Sequence, residues 1–263
     1  MGGAVARAFA AVGARVFLTG RNAGSVQKTA DDILAAGGKA DVDVVDALDE
    51  GAIAVHLAKV GQKAGTVDIS FNAIGAEVVQ NIPLTSISAD DFMGPIAMTM
   101  RSQFLTATAA GRTMMKQGSG VIVTLTATPG GIGYPYTGGF APACCALEGF
   151  SRNLASELGV YGVRVVNVRS GGSPDSRVFA DAIEQYPVAM ETVIRTMQAD
   201  TMLKKLPLMA DIANAVVFLA SDMAGKITGV TIDVTGGTTA GLNYRAQRAG
   251  DEAREKSPLT MGG

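Results

Sequence analysis

Residues 2–22, GGAVARAFAAVGARVFLTGRN, change period halfway. Over 3–12 the apolar side chains recur at helical spacing, Gly13 follows, and 15–18 is a short run of the β-branched and bulky apolar type that builds strands. The same alternation continues downstream. Strands are expected at 15–18, 40–44, 67–72, 120–125, 163–168 and 230–234, each apolar enough to be covered on both faces. Helices are expected at 3–12, 25–36 (closed by Gly37 and Gly38), 50–64, 89–117, 141–158 and 208–221. Strands and helices in alternation imply one α/β domain, a doubly wound parallel sheet with helices on both faces, spanning 1–244. The segment 171–207 reads as mostly helical. It follows the penultimate strand, so it is expected to act as a lid over the carboxyl ends of the strands, where open α/β sheets bind ligands. Residues 245–263 turn polar and end REKSPLTMGG, a flexible tail.

Composition removes several function classes. With 22 Lys+Arg against 24 Asp+Glu the net charge is −2, which leaves no basic face for nucleic acid and no cationic run for an anionic membrane. No apolar stretch reaches the ~18 residues that span a bilayer. The alanine-rich start is interrupted by Arg7 and Arg15, so it reads as folded structure and not as a signal peptide. The two cysteines, Cys144 and Cys145, are neighbours and form no disulfide framework, which points to a reducing, cytoplasmic setting. No cluster has metal-ligand spacing, so no metal is expected. His56 reads as an outer residue of its helix, and Met98, Met100, Met114 and Met115 as core or subunit-contact filler.

Five stretches in this order give the chain its resemblance: GGAVARAFAAVGARVFLTGRN, VDISFNAIG, QGSGVIVTLTATPG, GFSRNLASELGVYGVRVVNV and VVFLASDMAGKITGVTIDVTGG. To about Gly241 the sequence resembles the short-chain dehydrogenase/reductase family. That resemblance implies a Rossmann-type sheet of about seven strands, a nicotinamide cofactor, a small-molecule ligand, and homo-oligomers (dimer or tetramer) built on the long central helices. In the family a first strand runs into a glycine-rich turn that holds the pyrophosphate. Met1-Gly2 matches only the last two positions of that turn. The expectation is that the protein starts upstream and Met1 is internal; the alternative is a real truncation, with neighbouring strands left unpaired at ~1–3 kcal/mol per buried group.

The cofactor positions follow by resemblance. Where the family's NAD users carry an acid, this chain has Gly20 followed by Arg21, an arrangement suited to a 2′-phosphate and hence to NADP(H); the alternative is a solvated surface arginine. Asp43 and Val44 match the pair that contacts adenine. Asn72-Ala73-Ile74-Gly75 stands for the family's Asn-Asn-Ala-Gly, so Asn72, Ala73 and Gly75 either line the cofactor groove, as Gly2 would, or form a structural turn.

The catalytic positions have changed. The family's Asn-Ser-Tyr-Lys tetrad maps onto Thr99, Ala127, Phe140 and Cys144. No lysine occurs between Lys116 and Lys204, so no shift of register restores a Tyr-x-x-x-Lys pair. Phenylalanine donates no proton, and general acid catalysis alone is worth ~10²–10⁴-fold. Tyr136 is the candidate substitute acid, one helical turn before Phe140. Thr126 and Thr128 are candidate ligand hydroxyls or ordinary strand-end threonines, and Arg169 is a candidate anion contact if it is unpaired. Cys144 has no histidine partner and reads as a small buried thiol. Three functions stay open: an oxidoreductase homologue working by a different mechanism or with little turnover, a catalytically inactive binding or regulatory subunit (a pseudoenzyme), and a lyase or isomerase.

Overall fold

A computed structural model describes residues 1–241 of the chain. Its elements run α1 (Gly2–Ala11), β1 (Arg15–Gly20), α2 (Ala23–Ala35), β2 (Lys39–Val44), α3 (Glu50–Ala64), β3 (Ile69–Asn72), α4 (Ala89–Gln117), β4 (Gly120–Ala127), α5 (Phe140–Leu158), β5 (Val163–Ser170), α6 (Arg177–Gln185), α7 (Pro187–Asp200), α8 (Met209–Ala220) and β6 (Thr231–Val234). Every strand pairing is parallel, so the doubly wound α/β fold stands as expected. Ends move by a residue or two because caps set them. The side chains of Asn22, Asp49 and Ser88 accept the N–H groups of Ser25, Ala52 and Asp91, closing the first turns of α2, α3 and α4.

The core follows the strand alternation. Val121, Val123, Val166 and Val168 point to one face and pack with Val5 of α1 and Ile212, Val216 and Leu219 of α8. Ile122, Val163 and Val165 point to the other, against Val60 of α3, Ala107 and Met114 of α4, and Leu154 and Leu158 of α5. Met114 is fully buried, as core filler should be. The 171–207 segment forms α6 and α7, neither of which has a fully buried residue. The expected tail, 245–263, lies outside the described residues.

Two features depart from the sequence reading. The first is that the six strands form two sheets, β1-β2 and β3-β4-β5-β6, rather than one continuous sheet of about seven. In a parallel ladder successive residues turn their main-chain groups to opposite neighbours. The Val45 N–H donates to the Gly20 carbonyl and the Val121 N–H to the Asp68 carbonyl. Val16, Leu18 and Gly20 therefore face β2, and Asp68, Ser70 and Asn72 face β4. Phe17, Thr19, Ile69 and Phe71 turn toward edges that have no strand partner among the described residues. Side chains join the two sheets: Val5 of α1 sits in the β4-β5 core, while Ala6 and Ala10 pack with Ile33, Val16 and Leu18 on the β1-β2 side.

The second departure is the face of β1-β2 that meets α3, which is charged. Asp43 accepts from His56 Nδ1 at 2.9 Å and Lys59 Nζ at 2.8 Å, and Asp41 from Lys63 Nζ at 2.6 Å and Arg15 Nε at 2.8 Å. His56, Lys59 and Lys63 share one face of α3 by their i, i+3, i+7 spacing, so His56 faces inward and is not an outer residue. The strand predicted at 40–44 is thus covered by ion pairs where an apolar contact was expected. The Lys63 hydrogen bond, then that of Arg15, holds the Asp41 carboxyl below its usual range. Lys59, then His56, does the same for Asp43.

Two outcomes follow. A carboxyl whose folded pKa is depressed contributes stability that is complete above the unfolded value near ~3.9 and is lost as pH falls through the folded one. Acid unfolding should therefore be shallower for Asp43→Asn than for the natural chain below about pH 4, measured by urea denaturation across pH. In amide exchange followed by NMR, Phe17, Thr19, Ile69 and Phe71 should exchange ahead of their neighbours Leu18 and Ser70, and uniform protection along β1 and β3 would contradict the assigned free edges.

Candidate active site

At the carboxyl ends of β4 and β5, on the face covered by α5, the core becomes steadily more polar. Ile122 and Val165 give way to Thr124 and Asn167, and these to Thr126 and Arg169. The Thr124 hydroxyl lies 2.7 Å from that of Ser151 and donates to Asn167 Oδ1 at 2.8 Å. Asn167 Nδ2 donates to Thr126 Oγ1 at 2.8 Å, and Thr126 donates to Glu148 Oε1 at 2.9 Å. Glu148 then receives Arg169 through both arms, Nε to Oε1 at 2.9 Å and Nη2 to Oε2 at 2.6 Å. The third arm, Nη1, reaches Asp233 Oδ1 of β6 at 2.6 Å. Side chains of Glu148 and Arg169 are only 12% and 13% exposed, a depth at which either charge alone would be costly. The hydrogen bond to Glu148 raises the Arg169 pKa further, so the guanidinium stays charged.

This network answers the reading of Arg169 as an anion contact: all of its arms are spent on carboxylates within the chain. It also accounts for Thr126, which is buried and bonded to Glu148, and for Thr128, whose hydroxyl donates to the Ser170 carbonyl at 3.3 Å. The Gly130-Gly131 turn after β4 lies directly on the ion pair. A Cβ at Gly130 would collide with Glu148 Oε1, and one at Gly131 would come within 2.7 Å of the Arg169 guanidinium carbon.

Phe140 and Cys144 begin α5 one turn apart, Ala127 ends β4, and Thr99 lies on α4 with its carbonyl accepting from the Ser102 hydroxyl at 3.1 Å. Burial pushes the Cys144 thiol up to about 11, which leaves it protonated at neutral pH. Cys145, one residue on, is exposed. Tyr136 lies before α5, which starts at Phe140. It sits in the preceding loop at φ 61°, with its carbonyl accepting the Asn81 N–H at 2.9 Å and its ring 55% exposed.

The cofactor candidates fall at strand ends. Gly20 ends β1, and a Cβ there would come within 2.9 Å of a Val26 methyl; Arg21 follows, exposed and without an ion pair among the described residues. Gly2 opens α1, which has no side-chain cap, and stands beside Ala73. Asn72 is committed to structure, its Nδ2 donating to Thr106 Oγ1 at 2.8 Å and its Oδ1 accepting the Ile74 N–H at 2.9 Å; Gly75 is exposed just beyond. Asp43 is turned to α3 by His56 and Lys59, with Val44 62% exposed beside it. The turn beyond β2 is built instead by Asp46, whose Oδ1 accepts the Leu48 N–H at 3.0 Å. Sequence reading passed over Asp46, Glu148, Asn167 and Asp233. The signal for Glu148 was its place four residues after Cys144, on the same inward face of α5.

Removing Arg169 leaves Glu148 buried and unmatched, so Arg169→Met should cost ~3–5 kcal/mol in denaturant unfolding. The double change Glu148→Met with Arg169→Met should recover much of that loss; a double variant as unstable as the single would show that the pair itself stabilises. In the folded protein at pH 8 maleimide should modify one thiol, Cys145, and reach Cys144 only on unfolding, as read by mass spectrometry.

Residues 1–239 match the family described as Enoyl-(Acyl carrier protein) reductase. The chain is 29% identical over 246 residues to 2,3-dihydro-2,3-dihydroxybenzoate dehydrogenase of Bacillus subtilis, covering 92% of this chain and 93% of that one. It is 32% identical over 232 residues to an uncharacterized oxidoreductase of Thermotoga maritima, covering 88% and 90%. Among solved structures it superposes on sorbitol-6-phosphate 2-dehydrogenase from Erwinia amylovora with a TM-score of 0.81 at 26% identity, over 89% of this chain and 93% of that one. No helix among the described residues is long and apolar enough to cross a membrane, and none of their His, Cys, Asp and Glu side chains gather in a group that could hold a metal. Matching motifs in matching order, on a matching fold, make the chain a member of the short-chain dehydrogenase/reductase family of oxidoreductases.

Proposed function

We propose that the chain binds NADP(H) at the strand ends and acts on a small molecule without the family's proton-donating tetrad, by a different mechanism or with little turnover. The observation that carries the cofactor choice is the pair Gly20-Arg21. A Cβ at position 20 would come within 2.9 Å of a Val26 methyl, so an acidic side chain there would require Val26 to shift, and the adjacent guanidinium has no carboxylate partner among the described residues. Such a group suits a 2′-phosphate, which Arg can grip through two parallel hydrogen bonds. The uncapped N-terminus of α1 at Gly2, beside Ala73, offers free N–H groups and a partial positive charge to a pyrophosphate. These residues fit the cofactor, which when bound supplies or accepts a hydride.

The chain's own residues do not complete the usual proton path. Phe140 has no proton to give, and Cys144 is neutral and buried, so it neither donates readily nor lowers a neighbouring pKa as a lysine cation does. Helices α6 and α7, shallowly packed, serve as the lid over this cleft. Homo-oligomers form through α4 and α5, where Phe104 is 53% exposed and packs against Phe150 with ring centroids 6.2 Å apart.

Fluorescence titration tests the cofactor. NADPH should bind in preference to NADH, and Arg21→Ala should weaken NADPH by about tenfold or more while leaving NADH little changed. A carbonyl panel with NADPH should show reduction near background, since the missing acid alone removes ~3–5 kcal/mol of transition-state stabilisation. Robust reduction of any member would overturn the mechanistic half of the proposal. Tight NADPH binding with no turnover on any substrate class would favour the binding-subunit alternative.

A further inference from the structure

Beside the first two turns of α5, next to the inward face of Phe140, Cys144 and Glu148, lies an open cavity of about 530 Å³, walled by the loop from Pro129 to Gly138, by Ala141, Pro142 and Cys145 on α5, and by Leu84. We propose that this cavity takes an uncharged, mainly apolar small molecule, with the Cys145 thiol in its wall; the inference rests on the reading of the strand ends as a small-molecule site and adds the class of ligand.

Three observations support it. None of the side chains lining the cavity carries a formal charge: its polar groups are the hydroxyls of Tyr134, Tyr136 and Thr137 and the Cys145 thiol. The nearest ionic groups beneath the Gly130-Gly131 turn, Glu148 and Arg169, are already matched to each other. A carboxylate or phosphate entering here would lose water and find no cation in the wall, whereas an apolar ring bearing one neutral carbonyl would lose little and could accept one or two hydroxyl hydrogen bonds at that oxygen.

The wall is also held in place before any ligand arrives. Tyr136 keeps a left-handed backbone that costs free energy, fixed by the Asn81 N–H on its carbonyl. Gly138, also left-handed, presses against the Val79 carbonyl so closely that a Cβ would collide, and Gly139 does the same against that of Phe92. Pro129, Pro135 and Pro142 restrict the chain further. A strained loop pinned at several points presents its apolar side chains without an ordering cost at binding.

The test uses the two cysteines of the full chain, of which Cys144 is buried and Cys145 exposed. N-ethylmaleimide labelling of Cys145 is followed in the presence of 2-naphthamide or 2-naphthoate, two probes of one shape that differ in charge. The amide should slow labelling saturably, and the carboxylate should need at least about tenfold higher concentration for the same protection. Tyr136→Asp, a residue type that tolerates this backbone, should abolish protection by the amide without lowering the melting temperature. Equal or better protection by the carboxylate overturns the proposal, as does no protection by either probe. Labelling that slows only as protein concentration rises also overturns it, because a subunit contact then covers Cys145. NADPH titration is read separately: protection by the amide without cofactor binding keeps this inference and removes the cofactor reading, and the converse removes this one alone.

Discussion

A carboxylate that α5 carries into the interior has to meet a cation there, and Arg169 of β5 meets Glu148 with both arms of its guanidinium. The arrangement at the strand ends follows from that requirement. Thr126 is oriented by Glu148, Asn167 by Thr126, and Thr124 by Asn167, so the hydroxyls and amides of β4 and β5 form one directed chain of donors and acceptors. Asp233 joins from β6 because it lies in register with Arg169. The backbone of Gly130-Gly131 can rest on the pair only because neither residue has a side chain. A buried ion pair of this kind gives little net stability against a well-packed apolar alternative, but it is intolerant of losing one member. Its contribution is to fix a geometry.

The geometry extends along one face of a single helix. Along the inward face of α5 come Phe140, Cys144 and Glu148: an aromatic ring, a neutral thiol and a carboxylate already satisfied. The polar groups of the network beside them answer one another. Among the described residues, groups without an internal partner lie to either side, in the guanidinium of Arg21 and in the phenols of Tyr134 and Tyr136.

The sequence made the order of elements legible because period, caps and glycines act locally, and every expected strand and helix appears within a few residues of its place. The polar network was not legible, because it joins residues 124, 126, 148, 151, 167, 169 and 233, whose nearness comes from sheet register and helix packing. Asp43 and His56 show the same limit at shorter range. A strand residue two positions from Asp41 looked like a ligand contact, and a lone histidine looked solvated, until parity in β2 and helical spacing in α3 turned them toward each other. Tyr136 shows a local limit: its left-handed backbone in the loop before α5 could not be read from its spacing to Phe140.

The division of the strands into a pair and a foursome has a mechanical consequence. Hydrogen bonds across a sheet are directional and lock neighbouring strands against sliding, whereas packed methyl groups resist separation but only weakly resist shear. With α1 wedged by Val5 on one side and by Ala6 and Ala10 on the other, packed side chains join β1-β2 to β4-β5, while the ion pairs of Asp41 and Asp43 tie β2 to α3 and that of Arg7 and Asp32 ties α1 to α2. The unit of β1, α2 and β2 carries Arg21, while Ala73 and the Glu148 network belong to the other unit. A ligand long enough to touch both Arg21 and the strand end beside Ala73 would bridge two sheets that share no ladder hydrogen bond among the described residues, and would act as a tie across the joint.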